Sequence, residues 1–150
     1  MNYSIVNLKD ELNNNNINQE NYINIFNLLN QLTDAQIISF IDFKNIIENL
    51  HNDHNIFLLK RDTNIIGSIT LLIEQKLIHN GKCVAHIEDF VIDKNYRKQG
   101  ISYLLLNHVK KLAKERNCYK IILDCNEKLC NFYEKHEFNN SGICMRYNIL

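Results

Sequence analysis

Between His86 and Leu106 the chain reads HIEDFVIDKNYRKQGISYLLL, and few folds accept that order of residues. Ile87, Phe90 and Ile92 are the apolar members of a strand that carries the acidic pair Glu88-Asp89 inside it. Asp93 to Gln99 is a short polar turn with Lys94, Arg97 and Lys98. Gly100 then opens a helix whose apolar residues Ile101, Leu104, Leu105, Val109 and Leu112 recur at helical spacing. A strand, a basic turn and a helix start together predict an anion cradle. The first N–H groups of a helix have no partner within it, and the helix dipole favours negative charge there. Arg97 and Lys98 bring positive charge to the same place.

The rest of the chain arranges itself around that unit. Tyr3 to Leu8 alternates weakly and is expected to be an edge strand, and Asn13 to Asn16 a polar loop. Tyr22, Ile25, Phe26, Leu28, Leu29 and Leu32 form one stripe of a helix from Asn18 to Leu32, stopped by Thr33-Asp34. A second amphipathic helix covers 40–50. Three strands joined by hairpins follow, over Ile56–Lys60, Ile65–Glu74 and Lys82–Ile92, with turns at 61–64 and at Asn80-Gly81. After the cradle helix come a strand at Tyr119–Asp124, a short helix at Glu127–Lys135 and a last strand at Ser141–Leu150. A meander followed by a strand–helix–strand crossover predicts an α+β fold: a mixed, mostly antiparallel twisted sheet flanked by helices.

Composition narrows the function. Lys plus Arg and Asp plus Glu both total 17, so the formal charge is zero and general nucleic-acid binding is disfavoured. With 150 residues, 45% of them hydrophobic, one domain spanning 1–150 is expected. No apolar run reaches a membrane span, and MNYSIVNLKDEL lacks a signal peptide's basic start and apolar core, so a cytoplasmic location is expected. The five cysteines (Cys83, Cys118, Cys125, Cys130, Cys144) contain no C-x-x-C pair. They read as reduced thiols, mostly in core or strands, with no metal site.

Two stretches carry a resemblance. Arg97-Lys98-Gln99-Gly100-Ile101-Ser102 resembles the Q/R-x-x-G-x-G/A signature of GNAT-type acetyltransferases, which hold the pyrophosphate of acetyl-CoA. Ser102 stands where Gly or Ala is usual, and Lys98 where many members have a further glycine. Asn131-Phe132-Tyr133-Glu134-Lys135 resembles the last helix of the same enzymes, with Glu137 in place of a glycine. The resemblance implies acetyl-CoA as co-substrate. It would be held by Phe90, Val91 and Ile92 along the pantetheine arm, by Arg97 to Ser102, and by Asn131 and Tyr133.

The segments LTDA (32–35), IEQKLIH (73–79), HIEDFVI (86–92), NCYKIILDC (117–125) and FYEK (132–135) are similar to the glucosamine-6-phosphate N-acetyltransferases. That likeness implies acetyl transfer to an amino-sugar phosphate, in a homodimer with shared sites. By matching position, Thr33, Lys76, His79, Glu88, Asp89, Tyr119, Lys120 and Asp124 are the sugar-phosphate contacts, and Glu88, Asp124 and Tyr133 the catalytic candidates. Neighbouring strand residues point to opposite faces, so one of Glu88 and Asp89 enters the cleft unless a bulge turns the strand. Of the candidate carboxylates, Glu88 is expected to take the ammonium proton. A strand N–H freed near Asp89-Phe90 steadies the oxyanion. Tyr133, with an ordinary pKa of about 10 against about 8.5 for a thiol, shares its proton with the departing sulfur. Cys125 and Cys130 are not expected to carry the acyl group. Arg146 lies two positions before Asn148, where the family places a tail Arg. Another amine acceptor, or a module that binds acetyl-CoA without turning it over, remain the alternatives.

Overall fold

The structure, a computed structural model, describes residues 2–149. Five strands form one sheet in the order β1 (Tyr3–Asn7), β2 (His54–Arg61), β3 (Asn64–Gln75), β4 (Cys83–Ile92), β5 (Cys118–Ile122). The first four pair antiparallel and β4 pairs parallel to β5. Between β1 and β2 run α1 (Leu8–Asn13), α2 (Gln19–Leu29) and α3 (Phe40–Glu48); α4 (Ser102–Glu115) is the crossover from β4 to β5, and α5 (Glu127–Glu134) follows β5. The α+β class and the order of these five strands are those the sequence implies.

Side-chain alternation divides the core. Phe57 and Leu59 of β2 face α4 and join Ile69, Leu71, Ile73, Ala85, Ile87, Leu105, Leu106 and Val109. Leu58, between them, turns to the other face and packs with Leu8, Tyr22, Ile25, Phe26, Phe43 and Ile47 of α1–α3. Gly67 leaves no room for a side chain beneath α4. A Cβ there would lie 2.8 Å from Ile92 Cδ1 and 3.2 Å from Leu105 Cδ1.

The helix starts obey local chemistry. Asn18 and Ser39 cap α2 and α3 by accepting from the N–H groups of Asn21 and Asp42. Helix α1, which periodicity did not announce, is only six residues long and is fixed by Asn7, whose side chain accepts from the Lys9 N–H.

Two expectations need correction. Residues 139–149 form no strand, and Ile143, Met145, Tyr147 and Ile149 are 88–91% exposed. Their alternation asks for a partner strand, and within the described residues no strand pairs with this segment; Leu150, the end of the expected strand, lies outside those residues. Cys125 and Cys144 are exposed rather than in core or strand, because they fall in the irregular segments that flank α5.

Candidate active site

The parallel pairing stops before β4 does. Strand β5 pairs with β4 only over Cys83–His86, whereas β4 continues to Ile92. Along 87–92, β4 therefore has β3 on one side and, among the described residues, no strand on the other. β5 ends at Ile122, opposite His86.

Within this open stretch β4 carries a bulge. Thr70 faces Glu88 and Ser68 faces Val91, so Asp89 and Phe90 together stand opposite Ile69. Asp89 adopts φ 47°, and Glu88 and Asp89 are both exposed. The two carboxylates thus escape strict alternation through a bulge, the one exception that the sequence reading allowed. Phe90 is half-buried with its ring 6.4 Å from Phe132, while Val91 and Ile92 are buried.

The cradle follows directly. Asp93 accepts from the Asn95 N–H at 2.8 Å, starting the single turn Lys94–Tyr96. Arg97 Nε donates to the Ile92 carbonyl at 2.8 Å, fastening the turn to the strand end. Lys98 and Gly100 are left-handed, at φ 61° and 76°, and a Cβ at Gly100 would meet nothing within 4 Å. The N-terminus of α4 has no side-chain cap. Lys98, Gln99 and Gly100 are exposed, Ile101 is buried in the core and Ser102 is half-buried. Gln99 donates to the Asn95 carbonyl at 3.0 Å.

One contributor went unread in the sequence. Gln31, just past α2, donates to Asp93 Oδ2 at 2.8 Å and accepts from the Lys94 N–H at 2.8 Å. It ties the cradle turn to the helical layer over more than sixty residues of chain, and only its place beside the Leu32–Ala35 motif hinted at it. Thr33, two residues further, is exposed.

On the other flank a cavity of 420 Å³ runs along the β5 edge, lined by Lys120, Asp124, Cys125, Cys130, Tyr133 and Cys144 among others. Tyr133 is 9% exposed, with its ring packed edge-on against Phe132 and Phe138. Burial, and then the nearby Cys125 thiol, push its phenol up to about 12. Its hydroxyl makes no hydrogen bond among the described residues. Asn131, on the same helix, is exposed.

Lys76, Glu88 and Lys120 belong to one side of the sheet, since Glu74 pairs with Val84 and Val84 with Lys120, and Glu88 alternates with Val84. The Lys76 ammonium is not free: it is paired with Glu74, which also holds His86 Nε2 at 2.9 Å. Lys76 and His86 together keep the Glu74 carboxyl below its usual range. His79 sits at the start of a left-handed turn, His79–Gly81, and its ring lies 4.1 Å from that of Tyr119, over which the Lys120 ammonium rests at 5.5 Å. The structure thus gathers His79, Tyr119 and Lys120 into one cluster, and Lys120, Asp124 and Tyr133 into one cavity. It leaves Thr33 and Asn131 at the surface.

A parallel strand that stops short of its neighbour, with a left-handed glycine before an uncapped helix start, frames the site. The chain belongs to the acetyltransferase (GNAT) family, whose model matches residues 19–138. Among curated proteins it is similar to glucosamine 6-phosphate N-acetyltransferase 1 of Dictyostelium discoideum, 43% identical over 82 residues that cover 54% of this chain and 52% of that one. The Schizosaccharomyces pombe glucosamine 6-phosphate N-acetyltransferase is 31% identical over 101 residues, covering 67% and 82% of the two chains. The chain spans about half the length of several curated relatives that it matches. The crystal structure of glucosamine-6-phosphate N-acetyltransferase from Arabidopsis thaliana superposes with a TM-score of 0.85 at 25% identity, over 99% of both chains. No helix among the described residues is long and apolar enough to cross a membrane.

Proposed function

We propose that the chain transfers the acetyl group of acetyl-CoA to the amine of glucosamine 6-phosphate, by direct attack in a ternary complex. The observation that carries this reading is the open edge of β4 over 87–92, which ends at an uncapped helix start behind Gly100. An extended amide-bearing arm can pair with such an edge, and a pyrophosphate suits such a helix start. Residues Phe90 to Ile92 would take the arm, and Arg97 to Ser102 the phosphates. When bound, acetyl-CoA supplies the activated thioester.

The chain's own groups do the rest. Glu88, exposed on the bulged strand, takes the proton from the sugar ammonium, directly or through one water. Asp124, in the cavity, holds the amine. The bulge at Asp89-Phe90 turns a strand N–H toward the charge that grows on the carbonyl oxygen. Tyr133, kept protonated by its burial, donates a hydrogen bond to the departing sulfur. Neither this sequence of steps nor the cavity calls for a nucleophilic cysteine or a metal.

Lys120, Tyr119 and His79 form the sugar-phosphate cluster, with Lys76 released from Glu74 when a dianion competes for it. Thr33 and Asp89 complete the sugar contacts, and Asn131 those to the co-substrate. The protein acts in the cytoplasm as a homodimer with shared sites, in the supply of UDP-N-acetylglucosamine. The exposed alternation of Ile143, Met145, Tyr147 and Ile149 supports the dimer, because such a segment needs a partner to pair with. Arg146 would then serve the neighbouring site.

The test is acetylated-product formation with glucosamine 6-phosphate against unphosphorylated glucosamine. Turnover that requires the phosphate is expected. Equal turnover with both sugars, or none with either, overturns the assignment of acceptor.

A further inference from the structure

Three of the five cysteines converge on the cavity of Tyr133. The Cys144 thiol donates to Asp124 Oδ2 at 3.1 Å. Cys125, exposed, and Cys130, half-buried, both line the cavity, and the Cys130 thiol points to the Asn126 carbonyl at 4.0 Å. Their places in the chain are specific. Cys125 follows Asp124 and precedes Asn126, the residue before α5; Cys130 lies three residues before Tyr133, on the same face of that helix. A bond between the two sulfurs would join the loop that carries Asp124 to the helix that carries Tyr133.

We propose that Cys125 and Cys130 are a dithiol modification site that closes to an intramolecular disulfide under a hydroperoxide and thereby displaces Tyr133. One thiolate attacks the peroxide oxygen, giving a sulfenic acid and the first water. The second sulfur then displaces the hydroxyl as the second water, and the S–S bond forms. Two thiols and one peroxide become one disulfide and two waters, the sulfurs losing the two electrons that the peroxide gains. A disulfide holds its sulfurs about 2.05 Å apart, so closure draws the first turn of α5 and the loop together. Burial, Cys130 and Asp124 raise the Cys125 thiol, so the attacking thiolate is scarce at neutral pH and closure accelerates as pH rises. The pair differs from Cys83 and Cys118, which face each other across β4 and β5 away from this cavity.

The experiment uses the full chain, treated with hydrogen peroxide, freed of oxidant, alkylated and digested with trypsin. Cleavage after Lys128 separates Cys125 from Cys130 unless a disulfide joins them. The expected product is one linked peptide pair, lighter by two hydrogens than the reduced pair and released by dithiothreitol. Sulfenic or sulfinic acid on Cys125 alone, a link to Cys144, or a link between two molecules overturns the proposal. The consequence for turnover rests on the acetyltransferase reading: product formation should fall about tenfold or more and return on reduction. Cys130→Ser should start with unchanged turnover and lose the sensitivity. A mapped disulfide that leaves an active preparation unchanged refutes the coupling to Tyr133. In a preparation with no turnover before oxidation, the acetyltransferase reading has failed and the peptide map alone decides the dithiol.

Discussion

Replacing Tyr133 by Phe isolates one oxygen atom. The ring contacts with Phe132 and Phe138, at 5.0 and 5.8 Å between centroids, are kept. The hydroxyl has no hydrogen-bond partner among the described residues to lose, so stability should change by less than about 0.5 kcal/mol. Turnover is another matter. With the phenol at about 12 and a thiol near 8.5, full proton transfer to the departing sulfur is uphill by about 5 kcal/mol. What Tyr133 can give is a hydrogen bond to a developing anion, worth about 1.5–3 kcal/mol in a site shielded from water. The expected result is a kcat lower by about 10- to 150-fold, with KM for acetyl-CoA nearly unchanged and the same melting temperature. The rate profile should show no falling limb from Tyr133 between about pH 7 and about pH 10, because its folded pKa lies above that window. Steady-state kinetics across pH, with a thermal melt on the same sample, decide it. A wild-type kcat, or a limb near pH 10 that vanishes in the variant, refutes the reasoning.

Other outcomes follow from single groups. Glu88→Gln keeps the size of an exposed side chain and removes a base; kcat should fall about 10²- to 10⁴-fold with the fold intact by circular dichroism. Lys98→Gly relieves a left-handed lysine at φ 61°, so the variant should gain up to about 1 kcal/mol in denaturant unfolding. A loss there means that the lysine side chain holds the turn. His108 leaves Nε2 buried and unpartnered beside Phe57, and burial, with Lys111, lowers its pKa against the smaller opposing effect of Glu115. The unfolded chain therefore binds a proton that the folded chain refuses, and stability must fall as pH drops through about 6.5. His108→Leu should raise the melting temperature, more at about pH 5 than at about pH 7; an equal gain at both removes the histidine from the acid response.

The cradle was legible because its two halves keep different periods, apolar alternation to Ile92 and then helical spacing from Ile101. The bulge at Asp89 was legible only as an exception to alternation, because one of two adjacent carboxylates can always face solvent. Helix α1 was illegible, its six residues being too few to display a 3.6-residue period. The tail misled for a different reason. Alternation from Ile143 to Ile149 says that one face seeks cover, but not that the same chain provides it. Tertiary partners were likewise hidden: nothing near Lys76 in the sequence says that Glu74 takes its charge, and Gln31 reaches Asp93 across the whole meander. Lys98 and Glu137 show where the reading by resemblance was sound even against its own exceptions. Both stand at positions where glycine was expected, and both adopt the positive φ, 61° and 67°, that makes glycine usual. Glu137 offsets this by pairing with Lys110 at 3.0 Å.

The unpaired run of β4 has a cost for the empty protein. A bare strand edge invites the same run of another molecule, and the exposed tail adds a second adhesive surface to the same chain. If acetyl-CoA is the missing strand, the metabolite guards the protein as well as feeding it: at a hundredfold excess over Kd it would add about 2.7 kcal/mol of stability. Without it the strand edge and the tail stay exposed, and the protein should aggregate more readily and melt lower.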